Sequence, residues 1–350
     1  MKHVTQIIPH GTLAIACVFL GASALRGADP SRVKSAVVSP ALAKLHEEAA
    51  AVRPLVKSRV ARDFLAAVEH LTPPSPRNLY RDEARQFHCE SSASKLTAPE
   101  REKLEEVPFT DLLYYYTKYG TPLAYARPLE LLGESSIKTV RGKRILDYGY
   151  GTIGHLRLLA ACGADAVGVD VDSFLRALYS RPDDQGKLRI DGKSVGSVTL
   201  VDGRWPGDRA ARESVDAGYD LILSKNTLKN GYLHPEREVD PRMLVDLGVS
   251  EEEFVRFLYA SLKPGGLVMI YNLSPAPAPP DQPYKPWADG RCPFPRAMLS
   301  EVGFEILAYD QEDSAAARTM ARAFGWDNGQ GGMDLENDLF AHYTLLRRSK

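Results

Sequence analysis

Residues 146–156, LDYGYGTIGHL, set Gly149, Gly151 and Gly154 at the spacing G-x-G-x-x-G, with Asp147 two positions ahead of the first. Glycines at this spacing let the backbone turn sharply, and let a ligand approach main-chain atoms where a Cβ would clash. A dinucleotide turn has the same spacing, so the neighbouring carboxylates must discriminate. Asp170 and Val171 end the next apolar run, AVGVDVD, where a carboxylate can accept both hydroxyls of a ribose. Asp202 and Gly203 close a third run, LVDG, in position to accept from an adenine amino group. Asp147 stands where dinucleotide folds usually carry an apolar residue; it can order the turn and receive a cationic group. Together with Tyr150, these residues read as one site for a nucleoside-bearing cofactor.

A second group of chemical residues follows a fourth apolar run, YDLILS. The segment SKNTLKNGYLHP (224–235) is polar and brings Lys225, Asn226, Lys229, Tyr232 and His234 together. Lys225 and Asn226 are expected nearest the reacting atoms, with His234 the natural general base. Lys229 and Tyr232 would line the acceptor wall. The bland reading is a solvated loop, since loops at such positions are polar in any case. A tyrosine-dense stretch, YYYTKYGTPLAYARPL (114–129), offers Tyr115, Tyr116 and Tyr119 as a roof; the alternative is that these rings simply pack. The Pro-rich loop 275–286 either rims the acceptor pocket or is a rigid connector.

The elements that position these groups alternate from Lys143 onward. RILDYG reads as a strand entering the glycines, and HLRLLAACG as a helix closed by Gly163. Further strands are expected at DAVGVDVD, SVTLVDG (197–203), YDLILSKN (219–226) and LVMIYNL. Before the last of these, VSEEEFVRFLYASLKPGG reads as a helix with Ser250 and Glu253 as a capping box, ending at Pro264-Gly265-Gly266. Continuous apolar strands separated by helices imply a doubly wound parallel α/β sheet. Upstream, 41–71 carries helical periodicity interrupted by Pro54, 72–78 is a breaker, and 98–133 is expected to be helical again.

Residues 143–310 resemble class I S-adenosylmethionine (SAM)-dependent methyltransferases, on ILDYGYGTIG, AVGVDVD, LVDG, YDLILS and LKPGGLVMI. The resemblance implies a Rossmann-like sheet of order 3-2-1-4-5-7-6, with LFAHYTLLRR as an antiparallel seventh strand beside FEILAYD and a helix near 314–325 between them. It implies SAM as cofactor and methyl transfer to a small-molecule acceptor at O, N or S. Ile153 departs from the commonest form of the turn, which often has glycine there. The N-P-P-Y and Pro-Cys signatures of nucleic-acid-modifying relatives are missing.

Composition agrees with a small-molecule partner. With 44 basic and 45 acidic residues the net charge is −1, so no global field favours nucleic acid. No Cys/His cluster has metal-ligand spacing, and no metal is expected. The apolar run TLAIACVFLGASAL, closing on Ala22-Ser23-Ala24, reads as a signal peptide or anchor over 1–24, followed by a linker over 25–39. A helical segment over 40–140 and a SAM-binding domain over 141–350 complete the organisation. Membrane association, if any, would run through the N-terminus. Export would make Cys89–Cys292 the one disulfide to consider, and it conflicts with a cytosolic methyl donor. Two other readings therefore stay open: an exported non-catalytic binding protein on this fold, and an NAD(P) oxidoreductase.

Overall fold

The structure, a computed structural model, describes residues 39–329 and 331–350; the signal or anchor expected over 1–24 and the linker, save Ser39, lie outside the described residues. Eleven strands are formed among the described residues. Three short ones, β1 (Leu79–Arg81), β2 (Phe87–Cys89) and β3 (Glu105–Val107), make an antiparallel sheet of order β2-β1-β3. The others are β4 (Arg144–Tyr148), β5 (Asp165–Asp170), β6 (Gly186–Ile190), β7 (Lys193–Asp202), β8 (Tyr219–Lys225), β9 (Leu262–Ser274), β10 (Phe304–Glu312) and β11 (Phe340–Arg348). They form one sheet of order β10-β11-β9-β8-β4-β5-β7-β6.

Without β6, this is the expected order 3-2-1-4-5-7-6. β4 pairs in parallel with β5 and β8, while β11 runs antiparallel between β9 and β10. The extra edge strand β6 forms a hairpin with β7. Its turn is Asp191-Gly192, both at positive φ (50° and 75°), the conformation that Asp-Gly supplies to a tight hairpin. The small sheet was equally unforeseen, and β3 interrupts the stretch expected to be helical over 98–133.

Period-two alternation sorts the strand residues onto two faces. Ile145, Leu221, Leu223, Met269 and Tyr271 share one core with Leu45, Phe64, Leu129 and Leu156, so the upstream helices Pro40–Val52, Arg59–Ala66 and Ala126–Ser135 close that face of the sheet. Leu146, Tyr148, Ile222, Val268 and Ile270 face a second core with Trp205, Phe254 and Phe294. Helix Glu251–Ser261 on that side has the expected capping box, with Ser250 and Glu253 each bonding the other's backbone. It stops at Ser261 rather than at Pro264-Gly265-Gly266, because Pro264 biases Lys263 toward extended backbone and the chain passes directly into β9.

Buried ion pairs lock the upstream segment onto the sheet. Arg77 Nη1 donates to Asp184 Oδ2 (2.7 Å), and Tyr114 Oη donates to the other oxygen (3.0 Å). Arg127 forms a bidentate pair with Asp313 (2.6 and 2.8 Å), which also accepts from Tyr271 Oη. Cys89, Cys162 and Cys292 are all free thiols, which corrects the pairing considered for Cys89 and Cys292. Cys89 ends β2 in the small sheet, whereas Cys292 is buried against Phe294 in the second core.

Candidate functional site

Asp147 is the penultimate residue of β4, on the face covered by the upstream helices, and register places it beside Leu223 of β8. Two residues further along β8, Lys225 continues on that face, pairing with Tyr271 of β9. Asp147 is fully buried. Its Oδ2 accepts from Tyr125 Oη (2.6 Å) and is hydrogen-bonded to His155 Nε2. Its Oδ1 has no partner among the described residues. Burial, then the adjacent carboxylate, holds the Tyr125 hydroxyl well above the ordinary tyrosine range.

The glycine turn follows directly. Gly149 and Gly151 have φ of 74° and 58°, conformations that L side chains rarely adopt. A Cβ on Gly149 would collide with Thr227, which follows β8. Asp170 Oδ2 accepts from the Gly151 amide (3.2 Å), and Oδ1 accepts from the Asp172 amide (3.0 Å). Burial pushes the Asp170 carboxyl up to about 6, although those backbone bonds favour its ionised form. Over the turn lies the segment 117–120. Thr117 Oγ1 donates to the Gly151 carbonyl (2.9 Å), and Lys118 Nζ and Tyr119 Oη both donate to Asp172 Oδ2. Tyr119 (51% exposed) and Val171 (64%) are the two most exposed large apolar side chains among the described residues, and both border this turn.

Beside Asp170 is a cavity of about 410 Å³, lined among others by Tyr150, Asp172, Arg176, Tyr179 and Asp202 and by β2. That volume suits a small ligand. Asp202 stands at its edge, paired with Arg176 Nη1 (2.9 Å), while the Gly203 amide donates to the Asp170 carbonyl (3.0 Å). Tyr150 turns its ring into the core against Tyr179, so only its backbone faces the turn.

The segment after β8 divides into groups that face the site and groups that brace it. Lys225 Nζ lies 5.6 Å from the centre of the Tyr125 ring and meets no hydrogen-bond or ion-pair partner among the described residues. Burial lowers its pKa to about 8, against the opposing pull of Asp147. Lys229 Nζ donates to the carbonyls of Leu273 (2.5 Å) and Trp287 (3.2 Å) and lies 5.7 Å from the Tyr232 ring centre. Burial, and then the charge on Lys225, lowers it to about 7. Burial raises the Tyr232 hydroxyl to about 12, and its field reaches Tyr119.

Several of the expected residues are engaged elsewhere. Asn226 sits at φ 64°: its backbone N–H donates to Asn272 Oδ1 (3.1 Å), and its side-chain Oδ1 accepts from the Leu273 backbone amide (2.7 Å). His234 Nε2 is engaged with the Pro293 carbonyl (3.0 Å) beside Glu251, on the side of helix Glu251–Ser261 rather than at the glycine turn. Tyr115 is fully buried, with its hydroxyl donating to the Thr72 carbonyl (2.6 Å), and Tyr116 donates to Glu48. Helix Asp111–Tyr116 stops at Thr117 (φ 49°), which separates Tyr119 from these packed rings and leaves it over the turn. Gly154 serves packing: a Cβ there would press on Pro122. The Pro-rich loop contacts 235–237, where Tyr284 Oη accepts from the Glu236 amide.

Sequence reasoning missed Tyr125, His155, Thr227 and Asp172. His155 carried a signal, a single polar residue in an otherwise apolar helix; Tyr125 lay unremarked in a tyrosine-rich run.

No family model matches the chain, and no curated protein matches it. Among solved structures, the [4+2]-cyclase SpnF aligns at 17% identity over 89% of this chain and 97% of its own, with a TM-score of 0.39. The S-adenosylmethionine-dependent methyltransferase from Mesorhizobium loti aligns at 16% identity over 64% and 98%, TM-score 0.36. Phosphoethanolamine N-methyltransferase 2 from Haemonchus contortus, in complex with S-adenosyl-L-methionine, aligns at 14% over 79% and 68%, TM-score 0.38. The strand order, rather than these overlaps, carries the architectural assignment. By that order and its antiparallel β11, the chain has the class I SAM-dependent methyltransferase fold.

Proposed function

We propose that this protein binds SAM and transfers its methyl group to a small-molecule acceptor. The observation that carries this reading is the convergence, at the carboxyl ends of β4 and β5, of an orphaned buried carboxylate oxygen on Asp147, a positive-φ glycine turn, and Asp170 beside exposed Val171. Strand carboxyl ends beside the switch point are where ligands bind in open α/β sheets.

The residues present fit the cofactor. Asp170 would accept the ribose hydroxyls, Asp147 Oδ1 the cationic amino group, and Asp202 the adenine amino group in competition with Arg176. Val171 and Tyr119 would cover apolar surface, and the main chain of Gly149, Tyr150 and Gly151 would line the close approach. When bound, SAM supplies an electrophilic methyl group on a sulfonium centre. The chain's own part is positioning and exclusion of water, which carries much of the rate in a displacement of this kind. Lys225, Lys229 and Tyr232 form the acceptor wall, with Tyr119 roofing it. Lys225, near Asp147 and without a partner of its own, is the side chain assigned to the acceptor.

Isothermal titration of the folded protein with SAM, S-adenosylhomocysteine and NAD tests the reading. Micromolar binding of the first two and silence with NAD supports it. Binding of NAD alone, or of none of the three, overturns it.

A further inference from the structure

The acceptor wall is unbalanced in charge. Lys225 closes β8 with its Nζ over the Tyr125 ring, and Lys229, four residues on, has its Nζ near the Tyr232 ring. Asp147 keeps Oδ1 without a partner among the described residues, and the reading above gives that oxygen to the cofactor's amino group. Its Oδ2 is hydrogen-bonded to Tyr125 and His155, Asp289 is paired with Arg291 and Asn230, and Asp313 with Arg127 and Tyr271. Lys229 spends two of its three N–H groups on carbonyls. Lys225 spends none among the described residues. A cation held half-buried without a partner is costly unless the functional state supplies one. A sulfonium in the neighbouring site would add another positive charge.

We infer that the acceptor carries an anionic group, a carboxylate or a phosphate, received by Lys225. This rests on the methyl-transfer reading and narrows its substrate class. Lys225 supplies up to three N–H donors to the anion, and Tyr232 gives the acceptor body a flat face. The anion neutralises Lys225, so acceptors differing only in that group are discriminated by the loss of a charge-assisted contact.

The test uses the full chain and reads binding separately from turnover. S-adenosylhomocysteine is first titrated into the wild type, Lys225→Met and Lys225→Arg; its affinity should agree within about twofold. With S-adenosylhomocysteine saturating, inorganic phosphate and succinate are then titrated by calorimetry. Binding of one or both by the wild type, retained in Lys225→Arg and in the remote Lys263→Met, and weakened about tenfold or more in Lys225→Met, is the expected result. The anion that binds distinguishes a phosphate from a carboxylate site. Methyl transfer to matched acceptors, each as acid, phosphate monoester or neutral amide, should favour the charged member. Equal anion binding by wild type and Lys225→Met, or equal turnover of neutral and charged acceptors, overturns the inference. So does a Lys225→Met variant that loses S-adenosylhomocysteine instead, since Lys225 would then hold the cofactor. If the wild type fails to bind S-adenosylhomocysteine, the methyl-transfer reading falls, and the same anion titrations on the ligand-free protein still decide whether Lys225 is an anion site.

Discussion

Tyr125 and His155 stack face to face, with ring centres 3.7 Å apart and planes 2° from parallel, and both aim their polar atoms at the same oxygen of Asp147. One residue comes from the upstream segment and the other from the helix after the glycine turn, so the pair fastens the roof to the first strand of the site. It also leaves Asp147 Oδ1 without a partner among the described residues.

Removing one member of that arrangement has a defined effect. Tyr125→Phe deletes a hydrogen bond to a buried carboxylate while keeping the ring stack, and should cost about 1.5–3 kcal/mol of stability. Urea denaturation measures it. In a double-mutant cycle with His155→Gln the two changes should be non-additive, because they share one acceptor. Strict additivity would mean that the two side chains do not compete for Asp147.

Asp170 is the sharpest probe of the cofactor assignment. Asp170→Ala should weaken SAM binding by about 1.5–3 kcal/mol for each charge-assisted bond lost to the ribose. The variant also leaves the Gly151 and Asp172 amides without their acceptor, so some loss of thermal stability is expected alongside. Calorimetric titration of the folded variant separates the two effects; unchanged SAM affinity would remove Asp170 from the site.

The turn itself can be tested without ligand. Gly149→Ala places a Cβ against Thr227 on a backbone of φ 74°, and should destabilise by about 1–3 kcal/mol. Adding Thr227→Gly should recover the steric part and leave the conformational part. Thermal melts of the two variants measure the difference; no recovery in the double variant would mean that Thr227 is not what excludes a side chain there.

Lys225 gives a pH-dependent prediction. Its pKa in the folded protein lies near 8, below the ordinary 10.5. Between those values the unfolded chain holds a proton that the folded chain has released, so stability rises with pH through that window. Below about pH 8 both states are protonated and the cost of burying the charge is fully present. Lys225→Met should therefore stabilise the ligand-free protein at pH 7 by about 1–2 kcal/mol, with the advantage shrinking between pH 8 and 10.5. Urea titrations at pH 7, 8, 9 and 10 supply the curve. A difference independent of pH would show that the lysine is not desolvated.

The Arg77–Asp184 pair tests how the upstream segment is held. Asp184→Asn keeps the shape but leaves a buried guanidinium short of its counter-charge, and should cost about 3–5 kcal/mol. The measurement is equilibrium unfolding, and a loss below about 1 kcal/mol would mean that the pair is effectively solvated.

The sequence by itself determined the sheet, because buried parallel strands are written as local apolar runs and the turns between them as glycine and aspartate. RILDY, AVGVD, YDLIL and LVMIY all became central strands, and Asp147, Asp170 and Lys225 were legible because strand ends are local features. The β6–β7 hairpin was also written locally, in Asp191-Gly192, and was overlooked. Only the tertiary structure decided which polar residues face the site. His234 and Asn226 follow the same strand as Lys225, but His234 Nε2 is taken by the Pro293 carbonyl and Asn226 Oδ1 by the Leu273 amide, partners distant in sequence. Tyr115 and Tyr119 look equivalent in the chain, yet one positive-φ residue between them buries the first and exposes the second. Hydrogen-bond competition of that kind is settled by long-range packing, which neither composition nor spacing encodes.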